Sequence, residues 1–228
     1  MLQFTTMKTT AYLLLFSILI IFQSCFEIIE QVFLKTDGTG NFQLVLNLSK
    51  SKTRLNSIIK MKTINGYEVP SRFEIKNTIA EIEQTVSKTA GLSDVKTTVD
   101  FTNYIASISC NFTKVSQVND AVKNVYVKEN SKSKAPEKVY EYNADGNLFA
   151  RLNLFSFKDE YKKLNNADKE VFATANYTSI FKFESSVTAA TNKETKISPS
   201  KKAVMLKLNA LDIITGNKSI ENKITLTN

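Results

Sequence analysis

Tyr104-Ile105-Ala106-Ser107-Ile108-Ser109-Cys110-Asn111-Phe112 is the stretch on which the fold turns. Tyr104, Ala106, Ile108, Cys110 and Phe112 alternate with Ile105, Ser107, Ser109 and Asn111. A period of two sends successive side chains to opposite faces, so the segment predicts a strand with one face on a core and one in water. Directly after it, Val115, Val118, Val122 and Val125 recur at helical spacing and predict a helix over about 115–126. A half-buried strand running into an amphipathic helix implies an α+β fold, with antiparallel sheets covered by helices.

The same alternation recurs on both sides. Phe42, Leu44, Leu46 and Leu48 alternate with Asn41, Gln43, Val45 and Asn47; Val95, Thr97, Val99 and Phe101 form another face. Later come Tyr177, Ser179, Phe181 and Phe183, then Val204, Leu206 and Leu208. Leu44, Leu46, Ile108, Phe112, Phe181, Phe183 and Leu206 are therefore expected in the core. Ser71-Arg72-Phe73-Glu74 is a capping box, and Ile75, Ile79, Ile82 and Val86 continue from it, predicting a helix to about Lys88. Leu55, Ile58 and Ile59 predict a short helix; Tyr161, Leu164, Val171 and Phe172 predict a fourth.

Asp37-Gly38 and Asp145-Gly146 each lie between strand-like runs and predict hairpin turns. Neither loop has the spaced acids of a calcium-binding EF-hand. Residues 127–138 (VKENSKSKAPEK) are polar and lysine-rich and read as a linker or long loop. They divide a 25–126 α+β part from a 139–228 β-rich part. An Asp-Gly hairpin occurs on each side, which admits a build from two similar subdomains.

The first residues carry the address. Lys8 precedes an apolar run from Ala11 to Phe22, followed by Gln23-Ser24-Cys25. A positive start, a short apolar stretch and a small residue before a cut are the parts of a secretory signal over 1–24, and the run falls short of the about 20 residues that span a bilayer. Translation can begin at Met1 or Met7.

Composition removes chemistry. The chain of 228 residues has no histidine, two cysteines and six glycines. A Ser-His-Asp triad, a Cys-His pair and an HExxH zinc site are excluded, as is a four-cysteine metal site, and neither nucleotide-binding glycine loop occurs. No cofactor, metal ligand or catalytic residue is expected, and the chain is read as not an enzyme. The net charge of +8 is carried by lysine, with Arg54, Arg72 and Arg151 the arginines, which argues against a nucleic-acid partner. Cys110, on the apolar face of its strand, is expected as a small hydrophobe. Asp159 with Glu160, Glu81 with Glu83, and Glu137 with Glu141 are the closest carboxylate groupings. A hydrolase would need two such acids converging in a cleft.

Phe22-Gln23-Ser24-Cys25 resembles a bacterial lipobox, which implies that the Cys25 thiol is acylated and becomes the mature N-terminus. Phe22 and Gln23 depart from the commoner residues of that motif. With the hairpin, the capped helix, Gly91-Leu92-Ser93-Asp94-Val95, the strand into Cys110-Asn111-Phe112 and the tail Ile197-Ser198-Pro199-Ser200, the chain resembles a group of uncharacterised Gram-negative envelope lipoproteins. More distantly, its tail is similar to LppM-type lipoproteins, which implies contact with lipid. The resemblance implies attachment to a membrane through lipid on Cys25. Because Phe26 stands where inner-membrane retention signals have Asp, it also implies an outer-membrane position facing the periplasm. Three roles stay open: a binding or assembly module for an envelope protein, a carrier or sensor of a lipid or other apolar ligand, and a carboxylate hydrolase.

Overall fold

The computed structural model describes residues 26–129, 137–153 and 157–227. Two sheets carry the fold. The larger has seven strands: β1 (Glu27–Leu34), β2 (Gly40–Asn47), β5 (Leu92–Asp100), β6 (Ile105–Phe112), β9 (Asn176–Phe183), β11 (Lys196–Ile197) and β12 (Ala203–Asn209), in the order β11-β12-β9-β1-β2-β6-β5. The smaller contains β7 (Tyr140–Asn143), β8 (Leu148–Arg151), β10 (Val187–Ala190) and β13 (Asn222–Leu226), in the order β10-β13-β8-β7. A separate hairpin joins β3 (Thr63–Ile64) to β4 (Tyr67–Glu68). Six α-helices are described: α1 (Lys52–Ile58), α2 (Arg72–Ser87), α3 (Ser116–Glu129), α4 (Lys158–Lys163), α5 (Asn166–Ala173) and α6 (Ala210–Thr215). The α+β class read from the alternation is the observed one.

One pairing departs from the antiparallel expectation. β1 and β9 run parallel, with Glu27 opposite Asn176 and Leu34 opposite Phe183. Alternation within a strand reports its faces and carries no information on the direction of its neighbour. Through this pair the residues before and after 127–138 share one sheet. The β1–β2 hairpin closes where Lys35 donates its amide to Thr39 at 2.8 Å. Gly40 is required there, because a Cβ would lie 1.9 Å from the Phe33 carbonyl oxygen and 2.6 Å from the Phe112 ring.

The core lies between the sheets. Val32, Leu34, Phe181, Phe183 and Val204 from the large sheet meet Val187, Phe149 and Ile224 from the small one. The Phe149 ring sits 5.2 Å from that of Phe181 and 5.4 Å from that of Phe183, both edge-on, the favoured aromatic arrangement. Asn119 staples α3 to β7 inside this core. Its carbonyl oxygen accepts from the Val139 and Tyr140 amides, and its amide donates to the Tyr140 carbonyl.

Of the seven residues expected in the core, Phe112, Phe181, Phe183 and Leu206 are buried. Ile108 is half-buried, and Leu44 and Leu46 remain 36% and 38% exposed. The face assignment holds: Leu44 pairs with Glu30 and with Ile108, on the inward side of the sheet. What differs is the cover.

The capping box is present as expected. Ser71 Oγ accepts from the Glu74 amide at 3.2 Å, the Glu74 carboxylate accepts from the Ser71 amide at 2.7 Å, and α2 follows. The fourth predicted helix is two short ones, α4 and α5, because Leu164 is extended and Asn165 caps a new start. α3 continues to Glu129, three residues into the expected linker, of which 130–136 lie outside the described residues. Tyr104 is a turn residue with φ 55°.

Candidate functional site

The uncovered corner of the large sheet is the floor of an apolar groove of about 300 Å³. Phe42 and Leu44 on β2 and Ile108 and Cys110 on β6 form that floor. Ile82 and Val86 of α2 make one wall; Val118, Ala121, Val122, Val125 and Tyr126 of α3 make the other. The helix stripes legible in the sequence thus point at the sheet, as an apolar stripe on a surface helix does. The two helices and the sheet do not close completely on one another, and a slot is left between them. Outside the slot Lys128 of α3 reaches Glu81 of α2 at 3.0 Å; both side chains are substantially exposed, so the pair contributes little stability.

Cys110 is buried at the inner end of the groove. Burial pushes its thiol up to about 11, so at neutral pH it is protonated and a poor nucleophile. It is the small hydrophobe expected of it. Cys25, the expected lipidation site, lies outside the described residues.

None of the carboxylate groupings lines the apolar groove. Asp159 is paired with Lys162, Glu141 with Lys138 and Glu81 with Lys128, while Glu83 accepts from Thr97 Oγ1. Asp37 accepts from the Thr39 amide and hydroxyl within its hairpin; these bonds hold its carboxyl below the usual range. Asp145 lies in the other hairpin, between β7 and β8.

Sequence reasoning missed a buried polar cluster. Glu30 and Arg151 face each other between the two sheets, both almost wholly buried, with the Arg151 guanidinium on the Glu30 carboxylate. The Tyr177 hydroxyl donates to Glu30 at 2.9 Å, and the guanidinium lies 5.3 Å from the centre of the Tyr140 ring. Burial, and then the Glu30 charge, raise both tyrosines well above their ordinary pKa. Every polar atom in the cluster's core is satisfied, because no buried side-chain nitrogen or oxygen among the described residues lacks a partner. Two signals were available. Glu30 interrupts the inward series Ile28, Val32, Leu34, and Arg151 is one of three arginines in a lysine-rich chain.

A shallow polar depression occupies the opposite face, where β5 is irregular between Ser93 and Lys96 and Asn111 donates to Asp94 at 2.7 Å. Among the described residues no helix is long and apolar enough to cross a membrane.

No family model and no curated protein matches the chain. Among solved structures, the NMR structure of the folded domain of the Mycobacterium tuberculosis LppM protein is similar, at 11% identity and a TM-score of 0.42 over 89% of each chain.

Proposed function

We propose that the protein is a membrane-tethered envelope lipoprotein that holds an apolar ligand, such as an acyl chain, in the groove between the large sheet and α2–α3, and acts as its carrier or sensor without catalysing a reaction. The observation that supports this reading is the groove. Its size is at the lower end of the about 300–1,000 Å³ typical of small-molecule sites. Its floor and walls are almost wholly aliphatic and aromatic, and Leu44 on its floor remains open to solvent. Exposed apolar surface of this kind costs free energy unless something covers it. A ligand with few polar atoms would lose nothing by entering, since the described lining offers almost no hydrogen-bonding group. The tether in this reading is lipid on Cys25, in an outer-membrane position facing the periplasm, and it rests on the lipobox resemblance.

Titration of the purified chain with a fluorescent fatty acid tests the ligand. Saturable binding that Leu44→Glu weakens at least tenfold, without a change in the fold by circular dichroism, is the expected result. Binding that ignores Leu44→Glu and also ignores Val122→Arg would turn the reading toward an assembly module, with the groove covered by a protein.

A further inference from the structure

The seven-stranded sheet has two unlike ends. At one lie the β1–β2 turn and the connections 88–91, 113–115, 184–186 and 198–202; at the other lie Phe26 and the connections 48–71, 101–104, 157–175 and 210–221. The second end is assembled as a unit. Asn65 at the tip of the β3–β4 hairpin donates to Asp168 of α5, Tyr104 donates to Asn56 of α1, and the Phe26 ring meets that of Phe172 at 5.8 Å. Met61, Tyr67, Phe73 and Phe157 all belong to this end and are 49%, 64%, 72% and 50% exposed. Among the described residues, no large apolar side chain is exposed in the connections of the other end.

Charge accompanies them. Between residues 48 and 76 seven bases stand against two acids, Glu68 and Glu74. Among the described residues none of these bases forms an ion pair, and Arg72 and Lys76 lie over the Phe101 ring. Lysines occur at both ends; among the described residues only this end combines them with exposed aromatic rings. Aromatic side chains prefer the interface of a bilayer, and bases near an anionic leaflet are drawn to its headgroups.

The position of the chain start selects the occupant. Cys25 directly precedes Phe26, and one extended residue spans only about 3.3–3.6 Å. We infer that this end is a membrane-docking face: Phe73, Tyr67, Met61 and Phe157 enter the headgroup region of an anionic leaflet, and the bases of 48–76 lie on its phosphates. The inference rests on the membrane attachment proposed above and is independent of the groove.

The absence of tryptophan makes the test direct. Phe73→Trp and, separately, Ile197→Trp are introduced into the full chain purified from bacterial membranes. Each is reconstituted into vesicles of phosphatidylglycerol and phosphatidylcholine carrying brominated acyl chains. The Phe73→Trp protein should lose most of its emission and shift to the blue, and the Ile197→Trp protein should do neither. In phosphatidylcholine alone, or with Lys60→Glu and Lys62→Glu added, the quenching should fall severalfold. Protein that floats with the vesicles while Phe73→Trp stays unquenched overturns the docking face alone. So does shielding that needs added envelope protein, or equal quenching at both positions. Failure to float overturns the docking face and the attachment together.

Discussion

The two nitrogens Nε and Nη2 of Arg151 donate to the two carboxylate oxygens of Glu30 at 2.8 and 3.1 Å, across the space between the two sheets. A paired fork of this kind is the strong form of an ion pair, and here it is almost fully removed from water. Burial works against the charged guanidinium, yet the Glu30 charge outweighs it and holds Arg151 above its ordinary pKa. Arg151→Ala leaves Glu30 buried and unpaired and should cost about 3–5 kcal/mol. The double variant Glu30→Leu with Arg151→Met should recover most of that loss. Urea midpoints of the three proteins decide it; a double variant no better than the single one would mean that the pair contributes packing rather than charge compensation.

Phe181→Ala and Leu44→Ala should separate cleanly. Phe181 is wholly buried against Phe149 and should cost about 3–5 kcal/mol when truncated. Leu44 sits on the same inward face but is uncovered, so its loss should stay below about 2 kcal/mol, under the usual range for a core leucine. Chemical denaturation measures both. Equal costs would mean that the groove is closed in solution.

Ser71→Ala removes the acceptor for the Glu74 amide and should cost about 0.5–2 kcal/mol. Ser71→Gly should cost only a few tenths, because glycine exposes the helix end to water. Thermal melts of the two variants give the comparison.

Stability should fall on the alkaline side, and Cys110 supplies part of the fall. Its thiol stands near 9 when unfolded and at about 11 in the fold. Below about pH 9 both states are protonated and the full stability is present. Between about 9 and 11 the unfolded chain has released its proton while the folded chain keeps it, so stability drops as pH rises. Tyr140 and Tyr177, raised by burial, add a drop of the same sign above their ordinary range. Urea midpoints at about pH 8 and about pH 10.5 should show the decrease, and Cys110→Ala should make it shallower. An unchanged slope in that variant would place the titration elsewhere.

Cys25→Ser keeps the shape of the side chain and removes the sulfur that lipid addition needs. One acyl chain holds a protein only marginally, so stable anchoring takes more than one. The variant should incorporate no labelled fatty acid, and should accumulate as precursor or leave the membrane fraction. Label on the serine variant, or none on the parent, would remove the lipoprotein reading.

Periodicity made the faces of the strands and the stripes of α2 and α3 legible, and the capping box marked the start of α2 to the residue. It could not show that the cover over Leu44 and Leu46 stops short, because alternation says which side of a strand is apolar and nothing about what lies on it. The groove was therefore readable only as two sets of apolar positions that both looked like core. Glu30 and Arg151 stayed hidden for a different reason. They are distant in the chain and brought together only by the stacking of two sheets, which no local pattern encodes. The direction of β9 was hidden likewise, since its partner β1 is the first strand and the connection between them runs through most of the protein.

That connection has a consequence in time. A chain that emerges from its N-terminus delivers β1 first, then β2, β5 and β6, which can pair as an antiparallel half-sheet of mostly local contacts. β1 ends up in the interior of the sheet only when β9 arrives beside it, and contacts of such long sequence separation form slowly. Until then one edge of β1 is bare, and Glu30 faces no cation, because Arg151 has not yet come into place. A half-sheet without β9 would carry an unpaired strand edge, the kind of feature that promotes aggregation. A truncation before residue 176 should therefore not yield a smaller stable protein. It should leave the β1 edge without its partner strand.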